Sequence, residues 1–217
     1  MKPLGLVPLK LVPRTEPADD GELIAACIDG DKQAQRALFR REYARVHATV
    51  YRILGNTRDV DDLVQETFIA VFRALTSFRG DARLSTWIDR IAVRGVFHHL
   101  RTKKATNTIA LDAIGDIDGG GRVDEQAQAR DGLRRLYAVL AKLTPEARTA
   151  YALYAIDGRS VAEVAEITGS TKITAKTRIW RARREVERRA AADPVLEELL
   201  ELGRASPHCT EKPGETE

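Results

Sequence analysis

The chain has 217 residues, enough for two small domains with modest cores, and its 35 Lys and Arg nearly balance its 32 Asp and Glu. A net charge of +3 does not by itself indicate a nucleic-acid partner, so the distribution of the charges has to decide that question. The two cysteines, Cys27 and Cys209, are too few and too far apart for a disulfide framework, and the sequence has no apolar run of about eighteen residues that would cross a membrane.

Residues 1–18 contain repeated prolines, which cannot continue a helix, so we expect a flexible extension there. The prolines and the lack of a small-residue cleavage site also argue against a signal peptide. A short helix is predicted next. It places Cys27 within an apolar pattern and ends near Gly30, so Cys27 is expected to be a small buried residue.

A longer helix is predicted to follow. Apolar residues recur along it at steps of three and four, which is the spacing of one helix face. The residues expected on this buried face are Phe39, Tyr43, Val46, Val50 and Ile53. Gly55 and Asn56 are expected to end the helix, and Thr57 or Asp59 to cap the next one.

The next helix has two contrasting faces. Its apolar residues recur every three or four positions and are expected to be buried: Val60, Val64, Phe68, Val71 and Leu75. The opposite face carries acids and an amide: Asp61, Asp62, Gln65 and Glu66. Such a face is either a solvated surface or a surface for a protein partner.

The loop TSFRGDARLS leads to a helix that is basic rather than acidic. The face expected to be buried holds Leu84, Ile88, Ile91 and Gly95. The remaining surface carries the cations Arg83, Arg90, Arg94, Arg101, Lys103 and Lys104. Trp87 lies at the start of this helix, where an indole can either join the core or stack on an unpaired base. Residues 19–104 are thus predicted to form one helical domain with a surface suited to nucleic acid.

Residues 105–128 differ in character from both of their neighbours. Three consecutive glycines, residues 119–121, lie among acidic residues there, so a linker is predicted. A second domain is expected over residues 129–192. Residues 193–217 are predicted to be a tail that includes a short acidic helical patch, Val195 to Leu202.

The second domain carries the signals of a helix-turn-helix. Its first helix is predicted from about Gln126 to Lys142, and Thr144 is expected to cap the next helix. Ser160 and Glu163 then match a capping box, which starts a short helix that ends at Gly169.

The last long helix, predicted from Lys172 to about Ala191, is strongly basic. Its buried stripe is expected to hold Ala175, Ile179, Ala182 and Val186. A short helix, a tight turn and a longer basic helix are typical of the motif whose second helix enters the major groove of DNA. The residues expected to contact DNA are Thr171, Lys172, Thr174, Lys176, Arg178, Arg181 and Arg184.

Two long stretches resemble a known family. One reads DVDDLVQETFIAVFRAL followed by FRGDARLSTWIDRIAVRGVFHHLR, and it resembles the second conserved region of bacterial sigma factors of the extracytoplasmic-function (ECF) group. The resemblance implies that the clamp helices of the largest RNA polymerase subunit are bound by Asp61, Asp62, Gln65 and Glu66. It also implies that the −10 promoter element is captured by Phe78, Arg79, Asp81, Arg83, Ser85, Trp87, Arg90 and Arg94.

The other stretch reads LTPEARTAYALYAIDGRSVAEVAEITGSTKITAKTRIWRARREV and resembles the fourth conserved region of the same family. In the family this region reads the −35 element and meets the polymerase β-flap. The family's TxKxR signature is matched by Thr174, Lys176 and Arg178, and its RAR signature by residues 181–183. The resemblance therefore implies core RNA polymerase and promoter DNA as partners. It also implies a cytoplasmic bacterial protein that joins the nucleoid within the holoenzyme.

Together the patterns and the resemblance predict an all-α protein of two small domains, with no catalytic role, no cofactor, no metal and no membrane insertion. Family members are commonly silenced by an anti-sigma factor clamped between the two domains. Whether this chain has such a partner is left open by the sequence. A stand-alone dimeric helix-turn-helix regulator is the main alternative, with residues 19–104 dimerising or sensing a signal. An enzyme is a weaker one, because no catalytic constellation is present and His98 and His99 have no third ligand at a recognisable spacing.

Overall fold

The computed structural model describes residues 20–105 and 123–204, and these two segments consist of helices joined by short turns. The helices are α1 (Asp20–Ile28), α2 (Lys32–Leu54), α3 (Val60–Ala74), α4 (Leu84–Ala105), α5 (Val123–Leu140), α6 (Pro145–Tyr151), α7 (Val161–Thr168), α8 (Lys172–Ala190) and α9 (Pro194–Arg204). A 3₁₀ turn, Leu75–Ser77, follows α3, and a π-helical turn, Ala152–Ile156, follows α6. The all-α prediction is confirmed. The predicted extension and most of the predicted linker lie outside the described residues.

Helices α2, α3 and α4 pack together around the core of the first domain. All five residues of the predicted apolar stripe of α3 are buried, so that prediction is confirmed. Helix α4 buries Leu84 and Ile88 as predicted, but its next turns bury Ala92 and Val96 more deeply than Ile91.

The buried face of α2 differs from the predicted one in its first half. Phe39 and Tyr43 were expected in the core, but each is 37% exposed, whereas Leu38 is completely buried. Val46 and Val50 are buried as predicted. The buried residues in this half of the helix form a row with four-residue steps: Ala34, Leu38, Glu42 and Val46. Each aromatic residue directly follows a member of this row, so its ring lies at the edge of the buried face.

The ends of α2 and the start of α3 follow local capping chemistry. Asp31 caps α2 by accepting from the N–H of Gln33 at 2.7 Å, and Gly55 ends it with a φ of +69°. Asp59 occupies the cap position of α3 as expected, but its side chain makes no capping bond. Its carboxylate instead lies 3.6 Å from His99 of α4.

Capping in the second domain is as predicted. Thr144 accepts from the N–H of Ala147 at 3.2 Å at the start of α6. Ser160 and Glu163 form both bonds of the capping box, at 3.2 and 2.9 Å, and start α7. Gly169 then ends α7 with a φ of +63°, which permits the tight turn into α8.

Helix α9 completes the second domain. Its Leu196 and Leu199 are buried in one cluster with residues of α5 and α8, and Leu199 lies so close to α5 that a Cβ at Gly132 would be 3.3 Å away. The segment just before α9 is tied to α5 because Arg135 donates two bonds to Asp193, at 3.0 and 3.1 Å. The predicted helical patch is therefore longer than expected and packed. Helix α5 also begins earlier than the predicted Gln126, within the predicted linker.

Candidate functional site

The acidic residues of α3 lie on its outer surface. The apolar stripe of α3 faces the core, so the residues on the opposite side are exposed: Asp61, Asp62, Gln65 and Glu66. Asp61 lies 3.5 Å from His47 of α2, yet its side chain remains 81% exposed. We call these four residues the acidic face.

An apolar patch adjoins the acidic face. Phe39 and Tyr43 of α2 are each 37% exposed, and the Tyr43 ring lies 5.7 Å from that of His47, which lies 3.5 Å from Asp61. Ile69, one turn after Gln65 on α3, is 43% exposed. The Phe39 ring lies 5.2 Å from that of Tyr43 and 4.6 Å from that of the buried Phe68, measured between centroids. Exposed aromatic side chains next to charges are typical of protein–protein interfaces. The sequence analysis missed this patch, because two aromatic residues at a four-residue step also fit a buried helix face.

A groove of the opposite charge lies at the end of this patch. Two phenylalanines and four polar side chains line it: Phe39, Phe72, Lys32, Gln35, Arg36 and Arg40. A protein partner that lies along α2 and α3 would thus meet an acidic surface first, then aromatic rings, and then cations.

The loop before α4 is fixed by an aromatic pair. Phe78 and Trp87 pack nearly edge to face, with ring centroids 5.4 Å apart, and both rings are half-buried. Gly80 has a φ of +77°, which lets the loop turn between them. The other predicted −10 residues of the loop region are the exposed Arg79, Asp81 and Arg83 and the half-buried Ser85. Trp87 therefore has one side against the domain and another that remains accessible.

The two predicted −10 arginines of α4 have different surroundings. Arg94 is exposed, whereas Arg90 donates to Glu166 of α7, at 2.9 Å to its carbonyl oxygen and at 3.2 Å to its carboxylate. Further along α4, Arg101 donates to Glu146 at 3.0 Å. The backbone N–H of Glu146 at the start of α6 and the Arg101 guanidinium hold the pKa of this carboxyl below its usual range. Part of the basic surface of α4 is thus paired with the second domain.

Helix α8 presents most of its predicted DNA contacts to solvent. Thr171 is the N-cap, and its hydroxyl accepts from the N–H of Thr174 at 3.1 Å, so this side chain serves the start of the helix. The exposed cations are Lys172, Lys176, Arg181 and Arg184, and the half-buried residues are Thr174 and Arg178. The predicted buried stripe is confirmed at all four positions.

Two further residues of α8 were not among the predicted contacts. Ile173 is 79% exposed and Trp180 is 47% exposed, and their seven-residue separation puts them on one face. The guanidinium of Arg184 lies over the indole of Trp180, 5.0 Å from its centroid. The sequence could have indicated them, because Ile173 and Trp180 lie outside the predicted buried stripe. Large apolar side chains at exposed positions often mark a binding surface.

Neither a metal site nor a membrane span is present in the two described segments of the chain. No group of three or more His, Cys, Asp or Glu there is placed to hold a metal ion, and no helix there is long and apolar enough to span a membrane. The neighbours His98 and His99 diverge, since His98 is exposed and His99 faces Asp59.

Comparison with known proteins identifies the family. Sigma-70 region 2 matches residues 38–106, and Sigma-70 region 4 matches residues 133–186. The ECF RNA polymerase sigma factor SigM of Mycobacterium tuberculosis (strain ATCC 25618 / H37Rv) is 31% identical over 186 residues, which cover 86% of this chain and 92% of that protein. The chain belongs to the ECF sigma factors. The ECF sigma-E factor of Escherichia coli (strain K12) is 32% identical and covers 80% of the chain and 95% of its own length.

Two solved structures share the architecture of this sigma factor. CnrH, in complex with the cytosolic domain of CnrY, is 29% identical with a TM-score of 0.54 and covers 79% of this chain and 97% of its own. The sigma factor RpoE of Bartonella quintana, in complex with the anti-sigma factor NepR, is 22% identical with a TM-score of 0.56, and covers 76% of this chain and 96% of its own. The second similarity concerns the fold alone.

Membership of the ECF sigma factors makes this chain a promoter-recognising, DNA-binding protein of transcription initiation. The stand-alone dimeric regulator is not favoured. The region 2 match contains the acidic face and the loop–α4 surface, and the region 4 match contains the helix-turn-helix. Helix α9 of this sigma factor lies beyond both matches.

Proposed function

We propose that this sigma factor binds core RNA polymerase with the acidic face and the adjoining apolar patch, and opens promoter DNA with its loop–α4 and α8 surfaces. The observation that carries the proposal is the composition of the first domain. One packed unit exposes an acidic, partly apolar face on α3 and a Trp-bearing cationic surface on α4. In this proposal the two predicted domains, residues 19–104 and 129–192, have separate tasks.

Docking on the clamp helices of the largest polymerase subunit is assigned to the acidic face: Asp61, Asp62, Gln65 and Glu66. Carboxylates at a rim chiefly favour encounter and orientation with a basic partner. Apolar anchors at the centre of an interface supply most of the affinity. We therefore assign that second role to Ile69 and Phe39, which are exposed beside the acids.

Capture of the −10 element is assigned to the loop and α4. Stacking of an unpaired base on an aromatic ring contributes about 1–3 kcal/mol, and Trp87 and Phe78 are the rings available beside the exposed loop. Arg90 and Arg94 are suited to the phosphates of the displaced strand. Capture of a flipped base makes and breaks no covalent bond, so we expect no enzymatic activity and no cofactor.

Recognition of the −35 element is assigned to α8. The N-terminal half of this helix offers Thr174, Lys176 and Arg178 for base edges and phosphates. Ile173 and Trp180 add accessible apolar surface, which suits thymine methyl groups and sugars. We assign the contact with the polymerase β-flap to the same domain.

Further partners and the location follow from the same proposal. Core polymerase works in the bacterial cytoplasm, so we expect the sigma factor there, and at the nucleoid once it is in the holoenzyme. An anti-sigma factor is a candidate third partner, since CnrH is itself solved with a domain of another protein, CnrY.

The experiment is promoter-dependent transcription by core polymerase reconstituted with the chain. A variant with Asp62→Lys and Glu66→Lys is compared with a control that carries Glu197→Lys and Glu201→Lys, an equally spaced pair of exposed acids on α9. We expect transcription with the wild type and the control and its loss with the first variant. Tight duplex binding by the chain alone, without transcription, would favour the stand-alone regulator.

A further inference from the structure

The interface between the two domains combines apolar packing with buried charges. Helix α7 packs on α4, and Val164 and Ile167 belong to the same buried cluster as Leu84 and Ile88. Charged groups at such an interface cost free energy unless each is paired. Most of the charges buried here form ion pairs across the interface or beside it, and Arg148 donates to backbone carbonyls instead.

Five charged side chains alternate in sign through this interface. Arg45 and Arg52 of α2 and Asp89 of α4 come from the first domain, and Asp157 and Arg159, which precede α7, come from the second. Arg159 contacts Asp157 at 2.6 Å and Asp89 at 3.2 Å. The other two contacts join Arg52 to Asp157 and Arg45 to Asp89. We call this arrangement the ion chain.

The ion chain depends on both domains. The side chains of Asp89 and Asp157 retain only 1% and 4% of their accessible surface. Burial raises the pKa of Asp89, while Arg45 and Arg159 oppose that rise. Separating the domains would break the two pairs that cross the interface, Arg52 with Asp157 and Arg159 with Asp89, and expose these groups to water. The pairs Arg45 with Asp89 and Arg159 with Asp157 would remain within their own domains.

The second domain also completes the end of α2. Tyr137 donates its hydroxyl to the carbonyl oxygen of Arg52 at 2.8 Å. Arg148 donates to the next two carbonyls, those of Ile53 and Leu54, at 2.9 and 2.6 Å. The last carbonyls of a helix have no partner within it, so they accept these donors readily. The glycine that follows α2 has no room for a side chain, because a Cβ there would lie 2.1 Å from the Tyr137 ring.

This closed arrangement conflicts with the use of both domains on one promoter. The −10 and −35 elements are separated by about 25 base pairs, or about 85 Å along B-DNA. In the closed chain, α4 touches α7 of the helix-turn-helix, and Arg90 is paired with Glu166. The chain has the length to open, because the seventeen residues between Ala105 and Val123 can span up to about 60 Å when extended.

We propose that the ion chain, together with the Tyr137 and Arg148 contacts, is a latch that holds the free sigma factor closed and must open before both promoter elements are engaged. The inference rests on the proposed function. The acidic face stays exposed in the closed form, so polymerase can make a first, weak contact there, whereas full binding through both domains requires the open form. Buried ion pairs contribute little net stability relative to apolar packing, because their separation returns each charge to water. A polar latch is therefore easily reversed.

The test uses Asp157→Lys in the full chain, which places a cation beside Arg52 and Arg159. Small-angle X-ray scattering gives the radius of gyration, and titration with core polymerase gives the dissociation constant. We expect a larger radius of gyration and a dissociation constant about tenfold lower, the factor for a closed form that outnumbers the open form ten to one. The double variant Arg52→Glu, Asp157→Lys restores opposite charges and is expected to return both values toward the wild type.

The matched control is Asp131→Lys, which alters an exposed pair with Arg135 inside the second domain and should change neither value. A wild-type radius of gyration for Asp157→Lys overturns the latch, and so does an expanded chain with unchanged affinity. If circular dichroism shows that Asp157→Lys is unfolded, Tyr137→Phe replaces it. With Tyr137→Phe, a smaller increase in the radius of gyration and a smaller decrease in the dissociation constant support the latch. No change in either value overturns it. Absence of promoter-dependent transcription with the wild type would instead refute the proposed function, while the scattering result still stands.

Discussion

Neighbouring substitutions on α2 separate the role of its core from that of its surface. Leu38 is fully buried, so Leu38→Ala removes apolar contacts and leaves a cavity, at a cost of about 3 kcal/mol in the free energy of unfolding. Phe39 is 37% exposed, so about two-thirds of its surface is buried. Phe39→Ala removes this buried area without creating an enclosed cavity, and we expect it to lower the free energy of unfolding by about 1–2 kcal/mol. We therefore expect a difference of about 1–2 kcal/mol between adjacent positions.

The assay is urea unfolding of both variants, followed by circular dichroism, alongside titration with core polymerase. Leu38→Ala should lower the midpoint strongly and keep its polymerase affinity under conditions where it is folded. Phe39→Ala should be the more stable variant and yet bind polymerase more weakly. Equal destabilisation by the two substitutions would show that the helix face has been assigned wrongly, and undiminished polymerase binding by Phe39→Ala would remove the apolar patch from the interface.

The remaining predictions concern the second domain. Ser160→Ala removes one bond of the capping box and should lower the free energy of unfolding by about 1 kcal/mol in urea titrations. Arg135 lowers the pKa of Asp193, so the stability from this pair is present above the ordinary pKa and is lost as the pH falls through the lowered one. NMR titration of the Asp193 carboxyl should show its pKa rising in Arg135→Ala. Trp180→Ala should weaken holoenzyme binding to −35 DNA about tenfold, the effect of one good base contact, at any salt concentration. Lys176→Ala should instead reduce, by about one, the slope of the logarithm of the DNA-binding constant against the logarithm of the salt concentration.

Periodicity in the sequence identified most of the helices and nearly all of their buried faces. On α3 it was sufficient, since all five residues of the predicted apolar stripe proved to be core. On α2 it failed, because Leu38 and the adjacent Phe39 both fit an apolar spacing and only packing against α3 distinguishes them. Spacing along the chain carries no information about which of two neighbouring apolar residues has a partner.

The contacts between the domains could not be predicted from the sequence at all. Arg148 looks like an ordinary polar residue of a short helix, yet it is 7% exposed, and burial lowers the pKa of its guanidinium. Its partners are backbone carbonyl oxygens nearly a hundred residues earlier in the chain. Every residue has such a carbonyl, so the sequence does not show which of them accepts a bond. Asp89 is similar, because an acid in a basic helix suggests a surface position rather than the centre of an interface.

Helix α9 has a consequence for dissecting and for comparing these proteins. Leu196 and Leu199 cover apolar side chains of α5 and α8, although the family match ends at residue 186. A fragment cut at the family boundary would expose Leu136, Leu140 and Val186 to water and is expected to aggregate, so an isolated DNA-binding domain should extend through residue 204. In evolutionary terms, a lineage that gains such a helix becomes dependent on it, since its loss must be accompanied by polar substitutions on the two helices beneath.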